Sequence, residues 1–344
     1  MVQFEAACRQ WQWVVSAVSW PIELNALLSL FWVVCIVLAL LLTSFPTFNP
    51  VTKYGKSSST ASGTGLVAKL FVRSLKKNLP SHCSALLFAL QNAKVPKSWF
   101  KHYYVTAWCI CLLLFVVKLK SSWPYVEALT SLSDSLASGP LLALWLWHIH
   151  LARRWAECSF LHVWSDATMH VVVLVFGLLH YVGANASLLA AAAAACPPHS
   201  AAAWAAPWMP EATLHGASSS QMLLFVLGVL LVAFGQAGQH LAHRQLAALR
   251  APPSQLKPPP SARVAGKYTL PVGGVFSMSS SPHYTFEVCI YAGLTVLTGA
   301  PLPMLLLLAW SGTNLALSAA ATHAWYKAKF DQTPSPWVIF PGLF

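Results

Sequence analysis

The sequence predicts an all-α integral membrane protein with about seven transmembrane helices. Of its 344 residues, 57% are hydrophobic and only 9% carry a charge, whereas soluble domains contain about a quarter charged residues. Apolar runs recur along the whole chain, and several approach the length of about 20 helical residues that a bilayer core requires. This composition and this spacing are typical of a polytopic membrane protein.

The charge and the cysteines argue against several other classes of protein. The net charge is +12, but the 21 lysine and arginine residues lie in loops between the apolar runs and form no nucleic-acid-binding module. The eight cysteines are scattered without a C-x-x-C pair, which disfavours a disulfide framework and a zinc site. We therefore expect no nucleic acid partner and no bound metal.

Four apolar runs in the first part of the chain predict the first four spans. Their ranges are 21–45, 104–117, 138–152 and 167–184. The intervening loop 46–103 is rich in proline, serine and basic residues. Within it, Gly63-Thr64-Gly65 lacks the preceding strand and the βαβ unit of a dinucleotide fingerprint, so we reject a Rossmann interpretation.

Three later runs predict the remaining spans, at 221–237, 285–299 and 301–320. Residues 187–220 are rich in alanine, serine and proline and predict a loop or a partly buried hairpin. A second loop is expected at 238–284, because its prolines remove amide donors and clash with a preceding helical turn.

The distribution of cations predicts the orientation. Nine, two, five and two lysine or arginine residues lie in the loop 46–103, the Arg153-Arg154 turn, the loop 238–284 and the tail after 321, while residues 188–220 contain none. With seven spans, these four basic segments share one side of the membrane. The positive-inside rule then places them and the C-terminus in the cytosol.

Five motifs follow one another in the last hundred or so residues. They read Q-x-x-x-H-x-x-L-x-x-L-R, Y-x-x-P-x-G-G-x-F, P-H-Y-x-x-E, H-x-W-Y and a terminal P-x-L-F. In this order they resemble the C-terminal domain of the steroid 5α-reductase family, and most closely its polyprenol reductase branch. The resemblance predicts an N-terminal transmembrane region with a basic cytosolic loop at 1–144, and a steroid 5α-reductase-like C-terminal catalytic domain at 145–344.

The resemblance implies NADPH as the cofactor. The positions that match the family's cofactor contacts are Gln239, His243, Arg250, Tyr268, Gly273, Gly274, His283, Glu287 and Arg154. Arginine suits this role because its planar fork binds two phosphate oxygens. From the residues alone, Arg250 can also be a cytosolic flank and the glycine pair an ordinary turn. His283 and Glu287, four residues apart on one helix face, can also be a structural pair.

The same resemblance nominates four residues for catalysis. The candidate proton donors are His323, Tyr326, His283 and His150, with His323 the first choice because its motif stands at the family's nicotinamide end. The alternative for His323 and Tyr326 is a cluster of interfacial side chains. Arg153, Arg154 and Glu157 match an R-R-x-x-E element of the branch and are expected to line the same cavity.

The function that the resemblance implies is NADPH-dependent reduction of the α-isoprene double bond of a polyprenyl lipid. Polyprenal is chemically the better direct substrate than polyprenol. The product would feed dolichol biosynthesis and protein N-glycosylation, which implies the endoplasmic reticulum membrane, with the plasma membrane as the alternative. Expected partners are the polyprenyl lipid, membrane lipids and a separate alcohol or aldehyde dehydrogenase of the same pathway.

Other functions are weighed against this one. A 3-oxo-Δ4-steroid 5α-reductase is the first alternative, but the run Trp99 to Tyr104 lacks the glutamate that holds the ketone oxygen in the steroid enzymes. A di-iron hydroxylase needs dense histidine boxes, and His148-x-His150 and His240-x-x-His243 are isolated pairs. A transporter is the most distant alternative, because the sequence shows no internal repeat.

Overall fold

A computed structural model describes residues 21–44, 93–121, 139–194, 219–250, 264–265 and 268–344. Seven α-helices lie within these ranges, and each coincides with one predicted span. They are α1 (Pro21–Ser44), α2 (Phe100–Ser121), α3 (Gly139–Ala156), α4 (Val171–Ala194), α5 (Ser219–Ala248), α6 (Pro282–Leu297) and α7 (Leu302–Phe330). Most of the predicted loop 46–103 and residues 195–218 lie outside the described residues.

The helical membrane character is confirmed, whereas the number of spans is not settled by the helices. Among the described residues, three helical stretches are long and apolar enough to cross a membrane. They are Val171–Ala192, Ser219–Ala248 and Leu302–Phe330, and α1 holds a shorter apolar stretch at Leu24–Leu40. Seven transmembrane helices therefore remains a prediction.

A short antiparallel ladder corrects the predicted start of the fourth span. Strand β1 (Lys94–Pro96) pairs with β2 (Thr168–His170), so that Lys94 lies opposite His170. Residues 167–170 consequently cannot belong to the helix, which begins at Val171. The ladder holds the start of α2 next to the start of α4. Only the 3₁₀ turn Lys97–Trp99 separates β1 from α2, and β2 leads directly into α4.

Five helices run past their predicted ends, namely α2, α3, α4, α5 and α7, and the last three of these do so by ten residues or more. The fourth was expected to end at 184 but continues to Ala194, because its last turns consist mainly of alanine, the strongest helix former. The fifth was expected to end at 237 but continues to Ala248, and the first proline pair follows only at 252 and 253. The first residues of the expected loop 238–284 therefore lie on a helix face.

Helices α5 and α6 pack backbone against backbone through small residues. A Cβ atom added to Gly235 would lie 2.6 Å from the carbonyl oxygen of Phe286, and one added to Gly293 would lie 2.6 Å from that of Gly228. Such distances leave no room for any side chain. Glycine at these positions allows the close approach that membrane helices use where apolar burial gives little driving force.

The interior of the bundle is largely aromatic and aliphatic. Its largest fully buried side chains include Trp32, Trp147, Phe276, Phe286, Leu151 and Met304. Asn185 pairs two polar groups of this interior: the indole Nε1 of Trp147 donates to Asn185 Oδ1 at 2.7 Å, and the Asn185 amide donates to the carbonyl oxygen of Ala107 at 3.0 Å. Asn185 begins an N-x-S sequon, but it is 1% exposed and serves packing.

The last residues fold back over the start of α6. Asp331 ends α7 in a left-handed conformation with φ of 54°. The amide of Ser280 then donates to the carbonyl oxygen of Trp337 at 2.8 Å, and the Thr285 hydroxyl donates to the carbonyl oxygen of Ile339. The tail thus holds the segment that leads into α6. A second ladder, between β3 (Val264–Ala265) and β4 (Tyr268–Thr269), precedes it.

Candidate functional site

The candidate site begins at the carboxyl end of α3, where two arginines meet one carboxylate. Arg153 and Arg154 occupy the last turn of the helix, where cations interact favourably with the helix dipole. Glu157 opens a π-helical segment, Glu157–Leu161, directly after α3. Its Oε1 lies 2.5 Å from Nη1 of Arg153, and its Oε2 lies 2.5 Å from Nη1 of Arg154. The carboxylate, only 3% exposed, is therefore held by two charge-assisted bonds.

One face of α5 points polar side chains at this group, with the spacing i, i+3, i+4 and i+7. They are Gln236, Gln239, His240 and His243. The side-chain oxygen of Gln236 accepts a hydrogen bond from Nε of Arg153 at 2.6 Å. Nδ1 of His240 and Nδ1 of His243 each lie 2.7 Å from an oxygen of Glu157. The extension of α5 beyond the predicted span is what places these residues on one face.

Helix α6 adds a second buried carboxylate, Glu287. The Gln239 side chain links the two acidic groups, because its amide nitrogen donates to Glu287 and its oxygen accepts from Arg153. Nε2 of His150 lies 3.6 Å from Oε1 of Glu287. The His150 ring stacks on Trp147, with ring centroids 5.2 Å apart. Three helices therefore share one polar assembly.

His283 completes this assembly one turn before Glu287 on α6. Its ring centroid lies 5.9 Å from that of His243. We call the whole group the central cluster; its members are His150, Arg153, Arg154, Glu157, Gln236, Gln239, His240, His243, His283 and Glu287. Six of them were nominated from the sequence for cofactor binding or catalysis, namely His150, Arg154, Gln239, His243, His283 and Glu287.

Several buried nitrogen atoms of the central cluster have no hydrogen-bond partner among the described residues. They are Nε2 of His150, Nε of Arg154, Nε2 of Gln236 and Nδ1 of His283. Leaving a buried donor or acceptor unpaired costs about 1–3 kcal/mol, so native proteins keep few such atoms. Four of them in one cluster indicate a place where a polar ligand would complete the hydrogen bonding.

His323 and Tyr326 lie in a second group at the end of α7. Nδ1 of His323 is 2.8 Å from the Ser280 hydroxyl oxygen. Because this hydroxyl donates its one proton to the carbonyl oxygen of Ser335 at 3.1 Å, it accepts from His323. Tyr326 packs with Leu270 and Phe330, and Tyr268, from β4, lies in the same group through an edge contact with Trp325. This second group reaches the start of α6 through Ser280, which precedes His283 by three residues. These contacts of the group do not include members of the central cluster.

Arg250 lies in the turn after α5 and is exposed. Its Nη1 donates to the carbonyl oxygen of Val163 at 2.7 Å. Burial, and then the nearby charge of Arg250, lower the pKa of Lys97 to about 8. Burial, and then the charge of Arg154, lower the pKa of His162 to about 4, and Arg250 adds to this effect. Arg250 is therefore close to both the central cluster and a second cation.

The glycine pair forms a turn that a glutamine from α5 supports. Gly273 and Gly274 have φ of 70° and 55°, a region that favours glycine. Nε2 of Gln245 donates to the carbonyl oxygens of Val272 and Gly273 at 3.1 and 2.9 Å. A Cβ atom on Gly273 would meet no atom within 4 Å, whereas one on Gly274 would lie 2.8 Å from Oε1 of Gln245. The turn therefore has free space next to Gly273 and none next to Gly274.

The sequence did not single out three residues that contact the site. Gln236 lies within the predicted span 221–237 but was not nominated, and His240 was considered only as half of an isolated histidine pair. On a helix that continues past 237, the spacing of polar residues at 236, 239, 240 and 243 indicates both. Tyr104, whose hydroxyl accepts from Nη2 of Arg154 at 2.9 Å, is fifty residues away in sequence. No local pattern connects it to the arginine.

Comparisons with known proteins bear on the same region. Residues 202–344 match the family model described as 3-oxo-5-alpha-steroid 4-dehydrogenase. The chain is 29% identical over 279 residues to Polyprenal reductase 1 of Arabidopsis thaliana, which covers 74% of this chain and 83% of the relative. It is 29% identical over 280 residues to Polyprenal reductase of Danio rerio, covering 75% and 81%. The corresponding values for Polyprenal reductase of Homo sapiens are 28% over 271 residues, 73% and 78%. The predicted resemblance to the steroid 5α-reductase family, and to its polyprenol reductase branch, is therefore confirmed.

Proposed function

We propose that this protein is an NADPH-dependent reductase that saturates the α-isoprene double bond of a polyprenyl lipid, with the aldehyde polyprenal as its direct substrate. The observation that carries the proposal is the central cluster, in which buried polar atoms without partners lie between helices of an apolar bundle. The similarity to proteins named polyprenal reductases supports the choice of substrate.

The residues of the site fit a phosphorylated dinucleotide. Arg154 retains an unpartnered Nε and His283 an unpartnered Nδ1, and both can hold polar groups of such a cofactor. Arg250 and Lys97 supply cationic charge nearby, which suits phosphate. NADPH, when bound, supplies a hydride. The protein's own task is then to hold the cofactor, to orient the lipid and to stabilise the negative charge that forms on the lipid.

The chemistry of the double bond favours the aldehyde. Hydride is a nucleophile, and the isolated double bond of an allylic alcohol has no group that can accept the resulting negative charge. In an α,β-unsaturated aldehyde, a hydride that adds at the β-carbon moves the electron pair onto the carbonyl oxygen. Hydrogen-bond donors can stabilise that oxygen, and a proton can then reach the α-carbon.

Product analysis tests this function. Purified full-length protein in detergent is given NADPH and either polyprenal or polyprenol, and the lipid products and the oxidation of NADPH are measured. We expect the α-saturated aldehyde from polyprenal and no turnover of polyprenol unless an alcohol dehydrogenase is added. Reduction of purified polyprenol with NADPH alone would overturn the aldehyde mechanism. A 3-oxo-Δ4-steroid serves as the competing substrate, because the matched family model is described by steroid chemistry.

Arg250 provides the first prediction. The Arg250→Ala variant is expected to raise the NADPH concentration needed for half-maximal activity about 10- to 100-fold, because a charge-assisted phosphate contact contributes about 1.5–3 kcal/mol. The lipid concentration needed should change little. Binding of NADPH, followed by fluorescence without lipid substrate, checks the effect independently of turnover.

Arg244→Ala is the matched control for Arg250→Ala. Arg244 is also exposed and lies six residues earlier on α5. It carries the same positive charge as Arg250, but it is not one of the residues whose charge lowers the pKa of Lys97. We expect its affinity for NADPH to stay within about twofold of the unmodified protein. Equal affinities for both variants would show that Arg250 is only a cytosolic flank of α5.

The second prediction concerns the orientation and place of the protein in the cell. We expect the protein in the endoplasmic reticulum membrane with its C-terminus in the cytosol, where it would supply dolichol synthesis and N-glycosylation. A tag after Phe344 should be cleaved by protease added outside sealed microsomes, while a tag before Met1 should be protected, as seven spans require. A protected C-terminal tag would contradict this orientation.

The four residues nominated as proton donors differ in their surroundings. His150 and His283 belong to the central cluster and each has an unpartnered ring nitrogen. His323 uses Nδ1 for its contact with Ser280, which leaves Nε2 for a ligand, and Tyr326 lies beside it on α7. The donor role of His323 stays a prediction: His323→Ala should abolish turnover, and a loss of NADPH binding would instead make it a cofactor ligand.

A further inference from the structure

A chain of three hydrogen-bonded side chains lies in the bundle interior, outside the central cluster. The indole Nε1 of Trp310, on α7, lies 3.0 Å from Nδ1 of His180, on α4. Nε2 of the same imidazole lies 2.8 Å from the hydroxyl oxygen of Tyr291, on α6. The Tyr291 side chain is only 2% exposed. The three residues come from three helices that are far apart in sequence.

The direction of each hydrogen bond in this chain follows from the chemistry of its first member. An indole nitrogen can only donate, so Nδ1 of His180 must accept and carries no proton. A neutral imidazole then has its proton on Nε2, which donates to the Tyr291 oxygen. Because Tyr291 accepts from His180, its own O–H proton points elsewhere. The chain therefore supplies one oriented phenolic donor.

A second hydroxyl stands beside this donor. Ser311 follows Trp310 on α7 and its hydroxyl is close enough to Tyr291 to interact with it. The Ser311 side chain is 4% exposed, and its hydroxyl makes no hydrogen bond that satisfies ordinary geometry. A buried hydroxyl without a partner is costly. Tyr291 and Ser311 thus form a pair of hydroxyl groups that can donate to one further oxygen atom.

The position of the pair along α6 relates it to the central cluster. His283, Glu287 and Tyr291 are spaced four residues apart, so they follow one another along one helix face. Four residues correspond to about 6 Å along the axis. Tyr291 therefore lies one turn deeper in the bundle than Glu287, among aromatic side chains that include Trp147, whose ring centroid is 5.8 Å away.

We propose that the hydroxyl groups of Tyr291 and Ser311 bind the terminal carbonyl oxygen of the polyprenal substrate and stabilise the negative charge that forms there. This inference rests on the proposed function and adds the substrate-binding donors to it. A carbonyl oxygen has two lone pairs and can accept both hydroxyl protons. Donors that are fixed before the reaction stabilise a developing oxyanion in a site that excludes water.

The step balances without a change in the protonation of Tyr291. With NADPH bound, a C–H bond would form at the β-carbon from the transferred hydride. The π pair of the C=C bond would then form a double bond between the α-carbon and the carbonyl carbon, and the π pair of the C=O bond would move onto the oxygen. The two hydroxyl groups hold this enolate oxygen by hydrogen bonds. A proton derived from solvent then bonds to the α-carbon, and the electron pair returns to restore the aldehyde.

The proposal also separates two roles along α6. His323 contacts Ser280, which precedes α6, and the nine residues from Pro282 to Tyr291 span roughly 14 Å along the helix axis. A carbonyl oxygen held by Tyr291 is therefore out of reach of the His323 ring. In this arrangement Tyr291 is the catalytic residue that touches the substrate oxygen. His323 then acts as a cofactor ligand in place of the donor role predicted for it above, so that His323→Ala weakens NADPH binding.

The test uses purified full-length protein with polyprenal and NADPH. Tyr291→Phe keeps the ring and removes only the hydroxyl group, and we expect kcat to fall roughly 100- to 1000-fold, as for the loss of one oxyanion donor. Ser311→Ala should lower kcat in the same direction. Affinity for NADPH should stay unchanged in both. Tyr103→Phe is the matched control, because Tyr103 is equally buried and donates to the backbone oxygen of Val173 instead.

A spectroscopic readout separates binding of the oxygen from general damage. The carbonyl stretching frequency of isotope-labelled polyprenal, bound without NADPH, should be lowered by hydrogen bonding in the unmodified protein. Tyr291→Phe should move it back toward the value in apolar solvent, and Tyr103→Phe should not. Trp310→Phe should lower kcat by removing the group that orients His180. In a protein that already carries Tyr291→Phe, adding Trp310→Phe should not lower kcat any further.

The outcomes distinguish this inference from the proposed function. If the unmodified protein reduces polyprenal but Tyr291→Phe retains its kcat and its carbonyl frequency, the donor assignment is overturned and the reductase function stands. An unmodified protein that folds, binds NADPH and leaves polyprenal unreduced would defeat both.

Discussion

Replacing Glu157 by alanine is expected to destabilise the protein by about 3–5 kcal/mol, because the buried charge of Arg154 and the half-buried charge of Arg153 would lose the carboxylate that contacts both. The carboxylate contacts Arg153 and Arg154 at 2.5 Å and lies 2.7 Å from nitrogen atoms of His240 and His243. Among the described residues, it is therefore the carboxylate that contacts both arginines and both histidines. The midpoint of thermal unfolding in detergent, followed by fluorescence-detected size exclusion, measures the change.

Glu157→Gln is the matched control for the charge. The glutamine has nearly the same shape and can still accept one hydrogen bond, so a comparable loss in both variants would assign the effect to charge. A loss confined to Glu157→Ala would assign it to packing and hydrogen bonding. An alanine variant as stable as the unmodified protein would contradict the role of this carboxylate.

The pH dependence of stability gives an independent check on Glu157. Burial by itself raises the pKa of this carboxyl group, but the hydrogen bond with His243 and the charges of Arg154 and Arg153 outweigh burial and hold the pKa well below its usual range. A group with a lowered pKa stabilises the folded state above its unfolded pKa, near 4.3 for glutamate. We expect stability to fall as the pH decreases below about 4, and to fall less in Glu157→Gln.

Gly235→Ala should have the second large effect, through the contact between α5 and α6. The new Cβ atom would lie 2.6 Å from the carbonyl oxygen of Phe286 and 2.7 Å from the Ile290 side chain. The helices must separate to admit it, and overpacking of this kind typically costs about 1–3 kcal/mol. Activity should fall further than stability, since Gln239 on α5 and Glu287 on α6 are joined by a hydrogen bond across this contact.

Gly312→Ala is the control for this prediction. Gly312 is a helical glycine on α7, and a Cβ atom there would meet no atom within 4 Å. We expect its thermal midpoint and its reductase activity to match those of the unmodified protein. If Gly235→Ala behaved in the same way, the close packing of α5 on α6 would not be needed to assemble the site.

The helices could be predicted from the sequence because each one contains an apolar run of helical length. Some of their ends could not be predicted, because strand pairing or the helix propensity of alanine determines where those helices begin or end. Residues 168–170 adjoin an apolar run and were placed at the start of the fourth span, yet they pair with Lys94–Pro96, some seventy residues earlier. The alanine run at 190–194 carries no periodic pattern, and its high helix propensity extends α4 beyond the predicted end.

The candidate site was predictable where a motif places residues on one helix face. His243, His283 and Glu287 lie in the central cluster as their motifs suggested. Contacts between distant segments were not predictable. His180 was visible only as a histidine in an apolar run, and its partners Tyr291 and Trp310 are 111 and 130 residues away. Nothing in the local sequence indicates that three helices bring them together.

The length of α5 has a consequence for how two very different reactants can meet. Its 30 residues extend about 45 Å, whereas a bilayer core is about 30 Å thick. A helix of this length that starts at one face of the core would carry its last ten residues, which include Gln239 and His243, beyond the hydrocarbon at the other face. A water-soluble cofactor can reach this end from the aqueous phase, and a lipid can present its head group from within the bilayer. Under the proposed function, neither reactant would have to leave its own solvent, and the reaction would take place at the boundary between the two phases.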